Sequence, residues 1–166
     1  MGTPFHVELV TPERVLFSGE ADEVSLRTDV GEIAFLAHHE DFVGAVDISL
    51  CTIDELSSSG EEATPRRCAV HGGFVYVSDN AVTILAGVAE LGEEIDVERA
   101  RAALQRAEQE VASGAPAAEG HEAVEGEEGA AALSPTMLAL MAPDAPEVAL
   151  RRAQVRLEAA GAAPAA

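Results

Sequence analysis

The chain of 166 residues has no Trp, one Tyr, five Phe and two Cys, and it has no Lys at all. Its ten basic residues are all Arg, set against 30 acidic ones, for a formal net charge of −20. A chain so poor in cations cannot track a phosphate backbone by displacing its counterions, which excludes nucleic acid as a partner. The same shortage removes a polybasic attachment to anionic lipid. No apolar run approaches the roughly 18 residues that a spanning helix needs, so direct lipid insertion is not expected either. The first ten residues hold no basic region and no apolar core, and they do not read as a signal peptide. These absences predict a cytoplasmic chain. Cys51 and Cys68 make no CxxC pair. In a reducing compartment the ordinary outcome is two free, buried thiols, with a disulfide between neighbouring strands as the alternative.

What is present divides near residue 90. Residues 1–90 and 91–166 are both acidic, so charge does not separate them. Residue type does: all five Phe and the one Tyr lie in the first part, whereas the last 67 residues hold 23 Ala and no aromatic side chain. In Phe5-His6-Val7-Glu8-Leu9 apolar and polar residues alternate with period two, the mark of a half-buried strand. Val15 to Phe17, Glu23 to Arg27, Ile33 to Leu36, Ala45 to Ile53, Cys68 to Val70, Phe74 to Val77 and Val82 to Ala86 continue the series. Turn signals separate them at Thr11-Pro12, Ser18-Gly19, Asp29-Val30-Gly31, Ser57 to Gly60, Gly72-Gly73 and Ser78-Asp79-Asn80. Short strands at intervals of about ten residues predict an all-β sandwich or barrel over residues 1–90.

Residues 91–166 read as a helical hairpin. Asp96 is placed to cap a helix whose Val97, Ala100, Leu104, Ala107 and Val111 are spaced 3, 4, 3 and 4 apart, a single narrow stripe. Ser113 to Pro116 ends it. Residues 117–132 are mostly Ala, Gly and Glu, a composition that cannot bury enough surface to order itself. A short apolar piece, Met137 to Met141, is broken by Pro143. Pro146 suits the first turn of a last helix running to about Ala160, with Leu150, Ala153, Leu157 and Ala160 as its stripe. Stripes made largely of Ala bury little, at about 0.8 kcal/mol per methyl, so the hairpin is expected to be only weakly docked.

Candidate chemistry is sparse. His6, His38, His39, His71 and His121 fall into no metal-ligand spacing, and His38-His39 reads as a solvated turn. No GxSxG, P-loop, HExxH or GxGxxG occurs. His71-Gly72-Gly73 has the start of an oxyanion loop but no nucleophile elbow, so it reads as a bulge or tight turn. The acidic run from Glu119 to Glu128 reads as a solvated tail. One cluster stands out: Asp96 and Arg99 on the first helical turn with Glu90 just before it, and Arg152 and Arg156 four apart on the last helix. Arginines so spaced share a face and can hold phosphates or carboxylates. The plainer reading is ordinary helix charge, with Asp96 as a cap and Glu147–Arg151 as an i,i+4 pair.

Four blocks, read in order, carry a family resemblance: VTPERVLFSGEADEV (10–24), RTDVGEIAFLAHHEDFV (27–43), AVHGGFVYVSDNAVTILAGVAE (69–90) and EEIDVERA (93–100). Over about residues 3–105 the chain resembles the epsilon subunit of bacterial rotary ATP synthases. Glu147 to Gly161 is similar to the family's second C-terminal helix. The Arg27-Thr28-x-Val30-Gly31-Glu32-Ile33 wording and the lack of Lys are similar to actinobacterial members. The resemblance implies a sandwich of about ten strands followed by a helical hairpin, mainly β plus α. It also implies a non-catalytic rotor subunit bound to the gamma subunit and the c-ring, with a hairpin that restrains ATP hydrolysis by reaching the alpha and beta subunits. The chain would then lie peripherally at the cytoplasmic face of the cell membrane.

Glu32 and His39 match the family's c-ring-facing block, in which Ala34, Ala37 and Asp41 replace a Gly and two Pro. Ile95-Asp96-Val97-Glu98-Arg99-Ala100 matches its Ile/Leu-Asp-x-x-Arg-Ala motif. The resemblance therefore implies Asp96, Arg99, Arg152 and Arg156 as candidate ligands of a regulatory ATP, with no metal and no catalytic cofactor. Residues 113–143 read as an insertion. Two other classes stay open. A free-standing acidic binding module with a disordered tail would fail to co-purify with membrane-bound partners, and an enzyme using the Asp96/Arg cluster on a nucleotide would show turnover.

Overall fold

The computed structural model describes residues 3–55, 64–113 and 145–162. The hairpin tip at Ser57 to Gly60, the acidic run with His121, the low-complexity stretch and the apolar piece at Met137 lie outside the described residues. Among the described residues seven strands precede two α-helices: β1 (Phe5–Val10), β2 (Val15–Thr28), β3 (Gly31–Leu36), β4 (Phe42–Glu55), β5 (Arg66–Ser78), β6 (Ala81–Ala86), β7 (Ala89–Leu91), then α1 (Val97–Ser113) and α2 (Pro146–Ala159). The strand order is β1-β6-β5-β4-β2-β3, with β7 on β5. Strand β1 runs parallel to β6 and antiparallel to β2, so the sheet closes on itself around one apolar core.

The count of seven strands among the described residues differs from the expected ten or so, and the cause lies in three long strands. In β2 the buried residues are Phe17 and Ala21, then Val24, Leu26 and Thr28, so the inward face changes parity at Asp22. The β2–β4 register shifts between Ala21 and Glu23, as a bulge at that residue requires. In β4 the core residues are Val46, then Cys51 and Ile53; in β5 they are Cys68 and Val70, then Val75 and Val77. Val46↔Gly73 and Ile48↔His71 keep one register, so β4 and β5 bend together. Each long strand thus serves both layers of the sandwich. Gly72 and Gly73 make the bend in β5, at φ +91 and +148. A Cβ on Gly73 would lie 2.2 Å from the Leu85 carbonyl oxygen. There β5 exchanges β7 for β6 as its neighbour. The Ser18-Gly19 step expected to end a strand is instead interior to β2.

Asp96 caps α1 as predicted, its Oδ1 accepting the Arg99 backbone N–H at 3.0 Å. Ala100, Leu104 and Ala107 of the predicted stripe are buried, while Val111 is exposed. Helix α2 departs from its single stripe. Val148, Val155 and Ala159 are buried in addition to Ala153 and Leu157, because α2 packs against α1 and also against β4 and β5. Val155 and Leu157 are fully buried beside Ile48 and Ala69 of the sheet. Fully burying a Val or Leu contributes about 1.5–3 kcal/mol, so α2 docks more firmly than an alanine stripe would. Arg151 does not serve the expected pair with Glu147. Its Nε donates to the Ile48 carbonyl at 3.1 Å and its Nη1 lies 3.6 Å from Glu158.

Candidate functional site

Glu90, on β7 at the end of the sandwich, stands where the sandwich and both helices converge. Its Oε1 accepts from Arg156 Nε of α2 at 2.6 Å, with Arg156 Nη2 in ion-pair contact at the same distance, and from His71 Nε2 of β5 at 3.2 Å. The His71 side chain is only 1 % exposed. Burial lowers its pKa below 6.5, so at neutral pH the ring is uncharged, and we assign Nε2 as its protonated nitrogen from the contact with Glu90. The hydrogen bond from His71, followed by that from Arg156, holds the Glu90 carboxyl at about 2 against its own partial burial.

Beside this triad a cleft of about 520 Å³ opens between α1 and the end of the sandwich. Glu90, Glu94, Asp96, Arg99, Arg106 and Arg156 supply its charged lining. Three carboxylates against three guanidinium groups leave the cleft without net positive charge. Asp96 is turned to its capping role, and Glu94 is engaged by Arg14 from the β1–β2 turn. The structure therefore brings Asp96, Arg99 and Arg156 into one cleft. Arg152 opens instead into a neighbouring groove of about 350 Å³ that also includes Arg106 and Arg156. Among the described residues no group of three or more His, Cys, Asp or Glu is arranged to hold a metal ion.

Glu32 and His39 sit at opposite ends of β3 and do not form one site. Glu32 is exposed opposite Arg27 of β2. His39 follows the strand in a turn: its Nδ1 donates to the Glu40 carbonyl at 2.7 Å, and its ring meets Phe35 edge-on at 5.0 Å. His38 takes φ +62, and its backbone N–H donates to Asn80 Oδ1 at 2.7 Å, so the pair forms the turn that its sequence predicted.

Two features escaped the reading of the sequence. The first is His71 as the anchor of Glu90; nothing within 19 residues of sequence links them. The second is an apolar surface. Val43 of β4 pairs with Tyr76 of β5, and Phe74 of β5 pairs with Leu85 of β6. All four point outward and are between 50% and 69% exposed. The run Phe74-Val75-Tyr76-Val77 held the signal, since a strand with four apolar residues in succession has no polar face to offer to water.

The comparisons agree with this architecture. A family model described as the β-sandwich domain of the ATP synthase delta/epsilon chain matches residues 4–92. An ATP synthase epsilon chain from Streptomyces avermitilis is 41% identical over 110 residues, which is 66% of this chain and 85% of the relative. One from Thermobifida fusca is 49% identical over 106 residues, covering 63% of this chain and 74% of the relative. A chain in the cryo-EM structure of the Euglena gracilis mitochondrial ATP synthase superposes with a TM-score of 0.64 at 23% identity. That superposition covers 95% of this chain and 81% of the other, and at this identity it speaks for the fold alone. With the family model matched over residues 4–92 and relatives 41% and 49% identical along 85% and 74% of their own length, the chain belongs to the ATP synthase epsilon chain family.

Proposed function

We infer that this epsilon-family chain works as a non-catalytic subunit of the ATP synthase central stalk, a part of the rotor between the proton-driven ring and the catalytic head. The observation that carries the reading in this molecule is the exposed apolar face of Val43, Phe74, Tyr76 and Leu85. It lies on β6 and on the halves of β4 and β5 that α2 leaves bare, so the sheet has one apolar surface with a cover of its own and one without. A permanent rotor joint requires burial of about 800 Å² per partner with an apolar centre, and an acidic surface alone would not supply it. We assign this face to the gamma subunit. The β2–β3 hairpin with Glu32 and the turn with His39 are proposed to face the c-ring, and the helices to reach the alpha and beta subunits when they leave the sandwich.

No helix among the described residues is long and apolar enough to cross a membrane. Attachment through protein partners therefore accounts for a peripheral subunit, which we place at the cytoplasmic face of the cell membrane. The cleft between α1 and the sandwich is the proposed seat for a regulatory ATP, with Arg99 and Arg156 toward the phosphates and Arg152 alongside. Glu90 already holds Arg156, so a nucleotide has to displace that carboxylate. Titration of the full chain with millimolar ATP by calorimetry is expected to show weak heat that Arg99→Ala abolishes; no heat in the parent chain ends this assignment. The function itself is tested by mixing the chain with purified gamma subunit at micromolar concentration. Co-elution as a one-to-one complex is expected, and separate elution removes the rotor assignment.

A further inference from the structure

The chain has two cysteines in 166 residues, and the fold sets them opposite each other. Cys51 of β4 pairs with Cys68 of β5, between the rungs Leu50↔Ala69 and Thr52↔Arg67. The register holds without a shift from Phe42↔Val77 to Ile53↔Arg66, so this is a regular stretch of antiparallel sheet. Both thiols are free, and both side chains belong to the apolar core between the layers, with no exposure to water. Residues directly opposite in an antiparallel pair have Cα atoms about 4.5–5.5 Å apart and side chains on one face. A disulfide requires a Cα separation of about 4.4–6.8 Å, so the backbone of this rung already has the spacing of the bond.

The same burial holds reactivity down. The thiolate, not the thiol, attacks an oxidant. Burial pushes the Cys68 thiol up to about 12, and burial together with the neighbouring Cys68 raises Cys51 as well. Arg66 favours a thiolate at Cys68, but Glu55 and Glu93 hold its guanidinium. The closed sandwich thus keeps a pair of thiols at bonding distance away from both solvent and ionisation.

We propose that Cys51 and Cys68 form a concealed redox lock: a peroxide that meets them when the β4–β5 pair opens converts them to a cross-strand disulfide. One thiolate attacks a peroxide oxygen; the S–O bond forms as the O–O bond breaks, and the departing hydroxide takes a proton and leaves as water. The second thiol gives up its proton and displaces hydroxide from that sulfur, so a second water leaves as the S–S bond forms. The two sulfurs lose two electrons and the peroxide oxygens gain them. The bond closes a ring over residues 51–68, which restricts the unfolded chain and leaves the native rung where it is. It ties together two of the long strands that serve both layers, and exchange with a reduced thiol reverses it. The lock belongs to the sandwich and does not depend on the assembly proposed above.

The full chain is treated with millimolar hydrogen peroxide, once in buffer and once at its urea midpoint, and then returned to buffer. Peptide mapping without reduction is expected to show Cys51 joined to Cys68 within one chain, formed at least about tenfold faster in urea than in buffer. The urea midpoint of the oxidised sandwich should rise by about 1 M or more. Dithiothreitol, which does not reduce methionine sulfoxide, should return it to the parent value. Cys51→Ala and Cys68→Ala should each lose both the linked peptide and the reversible rise. Sulfinic acid at either cysteine without a linked peptide, or links between chains only, overturns the proposal. A linked chain whose midpoint does not rise removes the lock, and equal rates in urea and in buffer remove its concealment.

Discussion

Single residues show how much of this protein is decided by short-range chemistry. Asp96 was legible as a cap because a side-chain oxygen and a backbone N–H three residues on need no help from the rest of the fold. Cys51 and Cys68 were expected as free buried thiols, and they are: they face each other across β4 and β5, and burial pushes the Cys68 thiol up to about 12. Gly72-Gly73 was recognised as a bend, but not that β5 passes straight through it and changes neighbour. A substitution there tests the point. Gly73→Ala places a methyl group against the Leu85 carbonyl in a backbone region that only glycine occupies with ease. The expected cost is about 2 kcal/mol or more, read as a lowered urea midpoint of the sandwich. An unchanged midpoint would mean that β5 can bend elsewhere.

At the scale of elements, the periods of 2 and 3.6 identified strands and helices, but not which faces they cover. Helix α2 shows why. Its Leu150, Ala153 and Leu157 stripe was visible, whereas Val148 and Val155 looked like stray apolar residues until β4 and β5 supplied a second surface for them. The contact of Glu90 with His71 and Arg156 that joins these layers carries a pH dependence of defined sign. His71 has its pKa lowered by burial, so the unfolded chain binds a proton more readily; stability falls as pH drops below the ordinary value of 6.5. Glu90 is held at about 2 against an ordinary 4.5, so its contribution is present above 4.5 and is lost as pH falls from there toward 2. Both act in the same direction. For a carboxylate with its side chain 32% exposed, the Glu90 part amounts to about 1–2 kcal/mol after screening by solvent. Urea unfolding of the helices, followed by far-ultraviolet circular dichroism, should therefore show a higher midpoint at pH 7 than at pH 4, and Glu90→Gln should flatten the acidic part of that profile. A higher midpoint at pH 4 would contradict the assigned geometry.

At the scale of the whole molecule, the acidic composition excluded phosphate backbones and lipid and left protein as the attachment. Where that attachment sits is a tertiary matter, because Val43, Phe74, Tyr76 and Leu85 come from three strands and become neighbours only in the sheet. Their exposure makes a clean test possible. Phe74→Glu and Tyr76→Glu alter side chains already facing water, so the thermal midpoint of the isolated chain should move by no more than a few degrees. Association with gamma should weaken by a factor of about thirty or more if these rings sit at the centre of the joint. Size-exclusion chromatography of the mixed subunits checks it, and undiminished co-elution of both variants would move the joint to another face.

The β and α character of the two parts, the cap at Asp96 and the anionic surface could be read from the chain before any fold was known. Each depends on composition or on residues within a turn or two of one another. That three strands bend across both layers came from packing, because a change of inward parity at Asp22, near Asp47 and at Gly72-Gly73 has meaning only against a closed core. Packing also decided that α2 lies between α1 and the sheet. The meeting of Glu90 with His71, 19 positions away, and with Arg156, 66 positions away, follows from that layering, since no local period spans such distances and only packing brings these charges to one oxygen.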